Sequence, residues 1–440
     1  MAQFCPASRE ELQAAIDDMD GTGIHFTHGH INTWDVSKVT NMDSLFSGFF
    51  FTFTFNEPLD KWNVSNVTSM QAMFSGCFTF NQPLNTWNVG NVTNMSSMFY
   101  RCQTFNQPLE NWNVGNVTNM SSMFYDCFAF NQSLENWNVG NNMTNMSSMF
   151  YGCREFNQPL ENWNVVNVTN MFRMFSGCFK FNQPLENWNV GNVTNMQSMF
   201  YGCYAFKQPL ENWNVVNVTN MSFMFNSCHA FNQPLNGWNV GNVTTMSCMF
   251  YGCYAFNQPL ENWNVVNVTD MNSMFSCCGA FNQPLNGWNV GNVTHMCSMF
   301  SGCRAFNQPL ENWNVGNVTK MPFMFSGCRA FKQRLNGWNV DNVTDMSDIF
   351  RDALSFTMDL VPLRFAPAFY ASKWDHHPTM KPRSPGTIRE ELVELNQQLD
   401  ELNQELGELQ NKKRKLQQEN ASYIIRRRLE HVFGIPATEL

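Results

Sequence analysis

The chain has 440 residues, 43% hydrophobic and only 14% charged, with a net charge of −9. Charge is far below that of an average globular protein, while Phe (41), Met (29) and Trp (14) are inflated, a bias that points to a repeat array and away from an ordinary enzyme. The acidic balance excludes a broad electrostatic footprint for nucleic acid.

The opening MAQFCPASREELQAAIDDMD has neither a basic n-region nor an apolar h-region, so it does not read as a secretory signal. No apolar run reaches the length of a membrane-spanning helix. The expected location is therefore intracellular (cytoplasmic) or particle-associated. Residues 8–19 predict an amphipathic helix, with Ser8 and Glu11 as a capping box ahead of Leu12, Ala15 and Ile16. With its flanks it makes an N-terminal helical cap over 1–33. His25, His28 and His30 follow as HxxHxH. Three imidazoles suit zinc in type, but no fourth ligand accompanies them, and the reading is a solvated cap loop.

Tryptophans stand at 34, 62, 87, 112, 137, 163, 188, 213, 238, 263, 288, 313 and 338, which makes thirteen copies of a unit of about 25 residues over 34–350. A typical copy is WNVGNVTNMSSMFYDCFAFNQSLEN, residues 112–136, numbered here as positions 1 to 25. Val117, Met120, Met123, Phe124 and Cys127 are three to four apart and predict a short helix, with Asn116 and Thr118 as its cap. Phe130, Gln132 and Leu134 alternate, followed by Trp137 and Val139, which predicts one or two brief strands shortened by Pro at position 22. One unit cannot bury nine apolar side chains alone; stacked copies bury them as columns. The predicted fold is a leucine-rich-repeat-like solenoid of short parallel β-strands plus short helices. Asn at positions 2, 5 and 20 is expected to hydrogen-bond from coil to coil. Copy 1 carries extra residues before Phe55, an aromatic tongue (Phe50, Phe51, Phe53) suited to docking a partner or covering the end of the stack, and copy 5 carries one extra residue in Gly140-Asn141-Asn142-Met143.

These residues resemble a known family. MFYGCYAFKQPLENWNVVNVTNM (199–221) resembles the BspA-like leucine-rich repeat in its Mycoplasma lipoprotein form. FCPASREELQAAIDDMD followed by HINTWDVSKVTNMDSLF is similar to the N-terminal cap of such arrays. The resemblance spans roughly residues 4–352 and implies a leucine-rich-repeat-like solenoid without catalytic residues. Its members include bacterial surface adhesins, from which this chain is expected to depart, since no export signal or anchor is read in it.

The cysteine column, Cys77 through Cys328 at position 16, reads as buried free thiols filling a small slot, with Phe49 taking that slot in copy 1. Cys248, Cys277 and Cys297 lie off the column without metal-ligand spacing. Asn-Val-Thr recurs, as at Asn91, Asn116 and Asn167, and reads as capping chemistry ahead of glycosylation. Positions 14, 15, 17 and 18 vary between copies. There Tyr100, Tyr125, Tyr151, Tyr201, Tyr204, Tyr251, Tyr254, Arg304 and Arg329, with Phe128 and Phe179, either form a binding surface or pack ordinary turns. Positions 10 and 11 vary too, as in Phe172-Arg173.

Residues 351–370 are read as a C-terminal cap and 371–387 as a linker. Over 388–430, Ile388, Leu395, Leu402, Leu409, Leu416 and Tyr423 recur every seven residues, with Leu392, Leu399, Leu406, Lys413 and Asn420 as the companion set. This is a coiled-coil pattern and predicts a homo-oligomer; a helix folded back on the solenoid is the alternative. Residues 388–409 hold Arg389 against seven acids and 410–428 hold seven bases against Glu419, which leans toward antiparallel pairing. Residues 431–440 form a tail.

Taken together these features predict a non-enzymatic protein–protein interaction scaffold, a rigid solenoid made multivalent by the coiled coil. A structural spacer or assembly component of a particle, and a surface adhesin exported without a standard signal, are the alternatives. No catalytic constellation, cofactor or metal site is assigned. The expected partner is a protein, not nucleic acid.

Overall fold

In the computed structural model of this chain, residues 3–19, 22–47 and 55–357 are described, together with residues 404, 407, 410, 412, 413 and 415. The chain divides into two units, Met1–Lys373 and Trp374–Leu440. In the second, the described residues Gln404, Gly407, Gln410, Lys412, Lys413 and Lys415 are helical. The apolar heptad positions from Ile388 to Tyr423 lie outside the described residues, as do Phe49 and the tongue at 50–54.

The first unit opens with helix α1, Arg9–Asp17. Ser8 caps it, its hydroxyl accepting the Glu11 N–H at 3.2 Å. The Glu11 carboxylate reaches back to the Ala7 N–H at 2.7 Å, so two of the helix entrance's donors are satisfied reciprocally. Leu12, Ala15 and Ile16 are the buried face. Arg9 donates to the Asp43 carbonyl and Gln13 to the Leu45 carbonyl, which ties α1 to the first coil. Next comes a small antiparallel hairpin of β1 (Ile24–His25) and β2 (Gly29–His30). A single 3-10 turn, Ile31–Thr33, leads into Trp34.

The stacked coils are built differently from the expectation of a short helix per unit. Positions 9 to 16 form two successive turns. In copy 4 the Met123 N–H donates to the Met120 carbonyl at 3.2 Å and the Cys127 N–H to the Phe124 carbonyl at 3.1 Å. The third residue of each turn is left-handed, Ser122 at φ 55 and Asp126 at φ 56. A positive φ there is the mark of a type II turn. Turns that close every four residues place positions 9, 12, 13 and 16 on the interior, the same spacing as a helix face. The apolar period therefore could not tell the two apart. Glycine stands at seven of the twelve left-handed residues at position 15, among them Gly76, Gly152 and Gly202, because it carries no steric penalty in that region.

Of the remaining amides, Ser121 and Tyr125 bond within the coil, to Asn119 Oδ1 and the Ser122 carbonyl, and the others bond between coils. Ser122, Phe124 and Asp126 donate to the carbonyls of Ser147, Met149 and Tyr151 in the next coil, at 2.8, 2.9 and 2.7 Å. Single-residue parallel bridges join position 8 of every coil to the next, from Asn41–Ser69 to Lys320–Asp345. The strand-like pairing thus falls at positions 7 to 9, within the segment expected to be helical. The stretch expected to be strand, Phe130 to Val139, has no such bridge. Position 22 is Pro in most copies, which lacks an N–H, though Ser133 stands there in this one, and side-chain amides take over the pairing. The Asn131 N–H donates to Asn106 Oδ1 at 2.9 Å, and Gln132 Nε2 donates to the same oxygen at 3.0 Å. Because these bonds cross coils, no coil satisfies its backbone alone.

The Asn-Val-Thr segment likewise caps no helix. Asn116 Nδ2 donates to the Gly90 carbonyl of the preceding coil at 2.7 Å, and Thr118 sends both its N–H and its hydroxyl to the Thr93 carbonyl. Asn113 acts locally instead, accepting the Gly115 N–H.

Inside, nine positions per coil are buried as columns: Trp112, Val114, Val117, Met120, Met123, Phe124, Cys127, Phe130 and Leu134 in copy 4. Phe124 stacks on Phe130 of its own coil at 4.1 Å and on Phe150 of the next at 5.7 Å, while Trp112 lies parallel to Trp137 at 6.4 Å. From Trp62 to Trp338 each indole N–H reaches a carbonyl one layer back, as Trp112 to Leu84 at 2.9 Å. The extra residue of copy 5 bulges at an exposed turn, and Met143 fills the Val slot without breaking the column. Gly140 is required there, since a Cβ would come within 2.6 Å of the Gly115 carbonyl oxygen. Residues 351–357, read as the start of a cap, keep the repeat register: Ala353 takes the Cys slot, and Phe356 stacks on Phe350 at 4.0 Å.

Candidate interaction surface

The turn ladder presents positions 10, 11, 14, 15 and 17 outward, and the nine residues predicted as a surface fall into two of its columns. Position 14 holds Tyr100, Tyr125, Tyr151, Tyr201 and Tyr251. The first three stack, at 4.7 and 4.3 Å between rings. Tyr201 and Tyr251 stand two coils apart with Asn226 between them in the column. Burial, then the neighbouring Tyr151, pushes the Tyr125 phenol up to about 12. Arg101 lies over Tyr100 at 5.3 Å and faces the Asp126 carboxylate at 3.8 Å. Burial nevertheless raises the Asp126 carboxyl above its ordinary range, with Arg101 and Arg154 opposing.

Position 17 holds Tyr204, Tyr254, Arg304 and Arg329. Sequence reasoning missed two of its members, Arg154 and His229, which complete a stack. The Arg154 guanidinium lies 4.3 Å over Phe128 and 5.7 Å from Phe179. Phe179, Tyr204, His229 and Tyr254 then follow at 4.8, 4.7 and 4.7 Å between ring centroids. Reading the repeat column by column would have exposed both residues. Arg304 and Arg329 are exposed and are set apart from Tyr254 by Gly279. Beside the stack, Glu155 pairs with Lys180. At positions 10 and 11, the Arg173 guanidinium lies 4.8 Å over Phe172.

The position-16 thiols are free and buried, each donating to the position-13 carbonyl of the previous coil, as Cys127 to Phe99 at 2.9 Å. Burial pushes the Cys77 thiol up to about 12 and the others upward in the same way. These groups fill space and satisfy a carbonyl; a raised pKa removes the thiolate needed for reactivity. Cys248, Cys277 and Cys297 are half-buried on the variable face.

The histidines are not a solvated loop. His25 is buried, its Nδ1 accepting the N–H groups of Thr27 and His28, with Nε2 3.4 Å from Asp18. His28 stacks between Phe4 at 3.8 Å and His25 at 4.1 Å. His30 Nδ1 accepts the Asn32 N–H, and Nε2 lies 3.3 Å from Glu57. Among the described residues no group of three or more His, Cys, Asp or Glu is arranged to hold a metal ion, and no helix is long and apolar enough to cross a membrane.

Comparison with curated proteins returned no match. Among solved structures, a leucine-rich repeat protein from Eubacterium ventriosum is 14% identical with a TM-score of 0.37, over 72% of this chain and 82% of that one. One from Bacteroides ovatus is 13% identical with a TM-score of 0.31, over 66% and 81%. A leucine-rich cell surface protein from Faecalibacterium prausnitzii is 13% identical with a TM-score of 0.32, over 60% and 80%. The family model described as "Mycoplasma protein of unknown function, DUF285" matches residues 11–137, 107–208, 181–288 and 258–363. Those matches span the whole of the coil stack, in agreement with the BspA-like resemblance drawn from its repeat, and the chain belongs to this Mycoplasma repeat family.

Proposed function

We propose that this chain is a non-enzymatic protein-interaction scaffold whose partner contacts the turn-ladder face. One observation carries the reading: variation is segregated. The nine interior columns keep nearly the same residues in every coil and are buried, whereas positions 10, 11, 14, 15 and 17 differ from coil to coil; their larger side chains, such as Tyr201, Tyr204, Tyr251 and Tyr254, are exposed, while serines such as Ser96 and Ser176, together with Asn226 and Asp348, are buried between them. A spacer needs no such variety on one face. Tyr and Arg side chains, the types enriched where interfaces concentrate their energy, recur there. The heptads of 388–430 would multiply that surface, giving avidity without new contacts.

Light scattering on the full chain and on residues 1–387 tests the multivalent part. An oligomeric full chain with a monomeric truncation supports it; two monomers remove it. Partner binding should fall sharply on deleting 388–440 while the coil stack stays folded, and equal binding by both forms would refute avidity. Tyr204→Ala and Tyr251→Ala should weaken binding; if neither does, the regular stack serves as a spacer.

A further inference from the structure

The position-17 stack runs unbroken from Phe128 to Tyr254 and then loses one layer. The next coil places Gly279 in the column, and the coil after it Arg304. A Cβ at Gly279 would meet nothing within 4 Å, so the layer is open space. The backbone does not require glycine here, because Gly279 is outside the left-handed region. Tyr254 is 56% exposed, against 43% for Tyr204, which has rings on both sides.

We propose that the Gly279 layer is a stacking slot for one aromatic side chain of a partner polypeptide, held between the Tyr254 ring and the Arg304 guanidinium and followed by acidic residues. The proposal rests on the interaction reading above and narrows it. Tyr254 and Arg304 belong to coils two apart, a gap of about 9.5 Å at the usual spacing of paired strands. A ring at its middle would lie at the distance already seen between Tyr204 and His229, 4.7 Å. The molecule supplies its own precedent, since Arg154 covers Phe128 of the adjacent coil at 4.3 Å.

Charge and lining select the occupant. Arg304 and Arg329 stand in consecutive coils, and positions 14, 15 and 18 of the coils beginning at 263, 288 and 313 hold only Ser, Cys, Gly and Ala. The Arg304 guanidinium is therefore uncompensated at those positions, on its own coil and on both neighbours, and favours a carboxylate next to the inserted ring. Ala280 and Ala305 flank the slot in sequence register and offer no side-chain donor or acceptor to read a base edge. This favours an amino-acid ring over a nucleobase.

The test uses the full chain and the peptide acetyl-Ser-Tyr-Glu-Glu-Ser-amide, with saturation transfer to its ring protons as the readout. Adenosine monophosphate is the second probe. Saturable binding is expected, weakened about tenfold by Gly279→Tyr, which fills the layer, and about fivefold by Arg304→Gln. Gly279→Ser, which leaves the layer open, should bind like the parent chain, and a Leu-for-Tyr peptide should not bind. Circular dichroism of each variant checks the fold. Equal peptide binding by Gly279→Tyr overturns the slot, as does absence of peptide binding to the parent chain. Nucleotide binding without peptide binding overturns the occupant. None of these failures touches the interaction reading, which the Tyr204 and Tyr251 variants test on a different stretch of the face.

Discussion

Phe200→Ala and Tyr204→Ala remove rings four residues apart in the same coil, and the structure predicts very different costs. Phe200 is fully buried, with ring neighbours Phe206 at 4.3 Å, Phe225 at 5.7 Å, Phe175 at 5.8 Å and Trp213 at 6.2 Å. Truncating a buried Phe to Ala costs about 3–5 kcal/mol, and the well-ordered column leaves little room to collapse, so the upper half of that range is expected. Tyr204 is 43% exposed and keeps two stacking neighbours, Phe179 and His229. Its loss should cost roughly 1 kcal/mol. Native-state hydrogen exchange read by mass spectrometry is the assay, because a long array need not unfold in one step. In Phe200→Ala the amides of Phe175 and Phe200, which cross to the carbonyls of Met199 and Met224, should lose protection first. Equal costs for the two variants, or a loss in Phe200→Ala spread evenly over all coils, would refute the argument that stability is built from neighbouring layers.

Four further outcomes follow from the same geometry. A thiol reagent should find the four half-buried cysteines (Cys5, Cys248, Cys277 and Cys297) in the native protein, and the eleven column thiols only after denaturation; fast reaction of the column would contradict its burial. Gly202→Ala should cost about 1–2 kcal/mol through backbone conformation alone, since φ is 71 and the nearest atom to the new Cβ lies at 3.8 Å; an unchanged denaturation midpoint would argue against the left-handed turn. Gly140→Ala should lose stability by overpacking against the Gly115 carbonyl, roughly 1–3 kcal/mol by chemical denaturation. The Asp126 carboxyl is raised in the fold, so its stabilising contribution is complete below the ordinary carboxyl pKa and is lost as pH rises through the raised value. Asp126→Asn should therefore gain stability over the parent as pH rises through that window, and a gain that grew toward acid would reverse the assignment.

Much of the coil was legible before any coordinates. The Trp spacing set the register, and the nine apolar positions that recur with it are the buried ones. Ser8 and Glu11 located α1 by capping chemistry. What periodicity could not resolve was conformation. Val117, Met120, Met123 and Cys127 carry a helix-like spacing, yet the backbone between them turns twice and sends its amides to neighbouring coils. A clue stood in the sequence as Gly at position 15 in most copies, between Phe and Cys, where a helix interior would be weakened by it. The surface was half legible. Its tyrosines could be picked by type, but Arg154 and His229 acquire meaning only when coils are stacked and position 17 becomes one continuous pile of planes.

That pile explains how a monotonous interior can carry a varied exterior. Since every coil must repeat the same turns to satisfy its neighbour's amides, sequence freedom is left to side chains that leave the ladder outward. Identical spacing then forces these side chains into register. A change of one residue alters one layer of a stack and leaves the backbone as it was. Gly279 is such a change: it removes a ring, leaves Tyr254 with an uncovered face, and alters no hydrogen bond of the ladder, where the Cys277 N–H still donates to the Ser301 carbonyl. If the array binds a partner as proposed, its specificity is written layer by layer, and substitution of single position-17 residues should change which partner binds without changing whether the array folds.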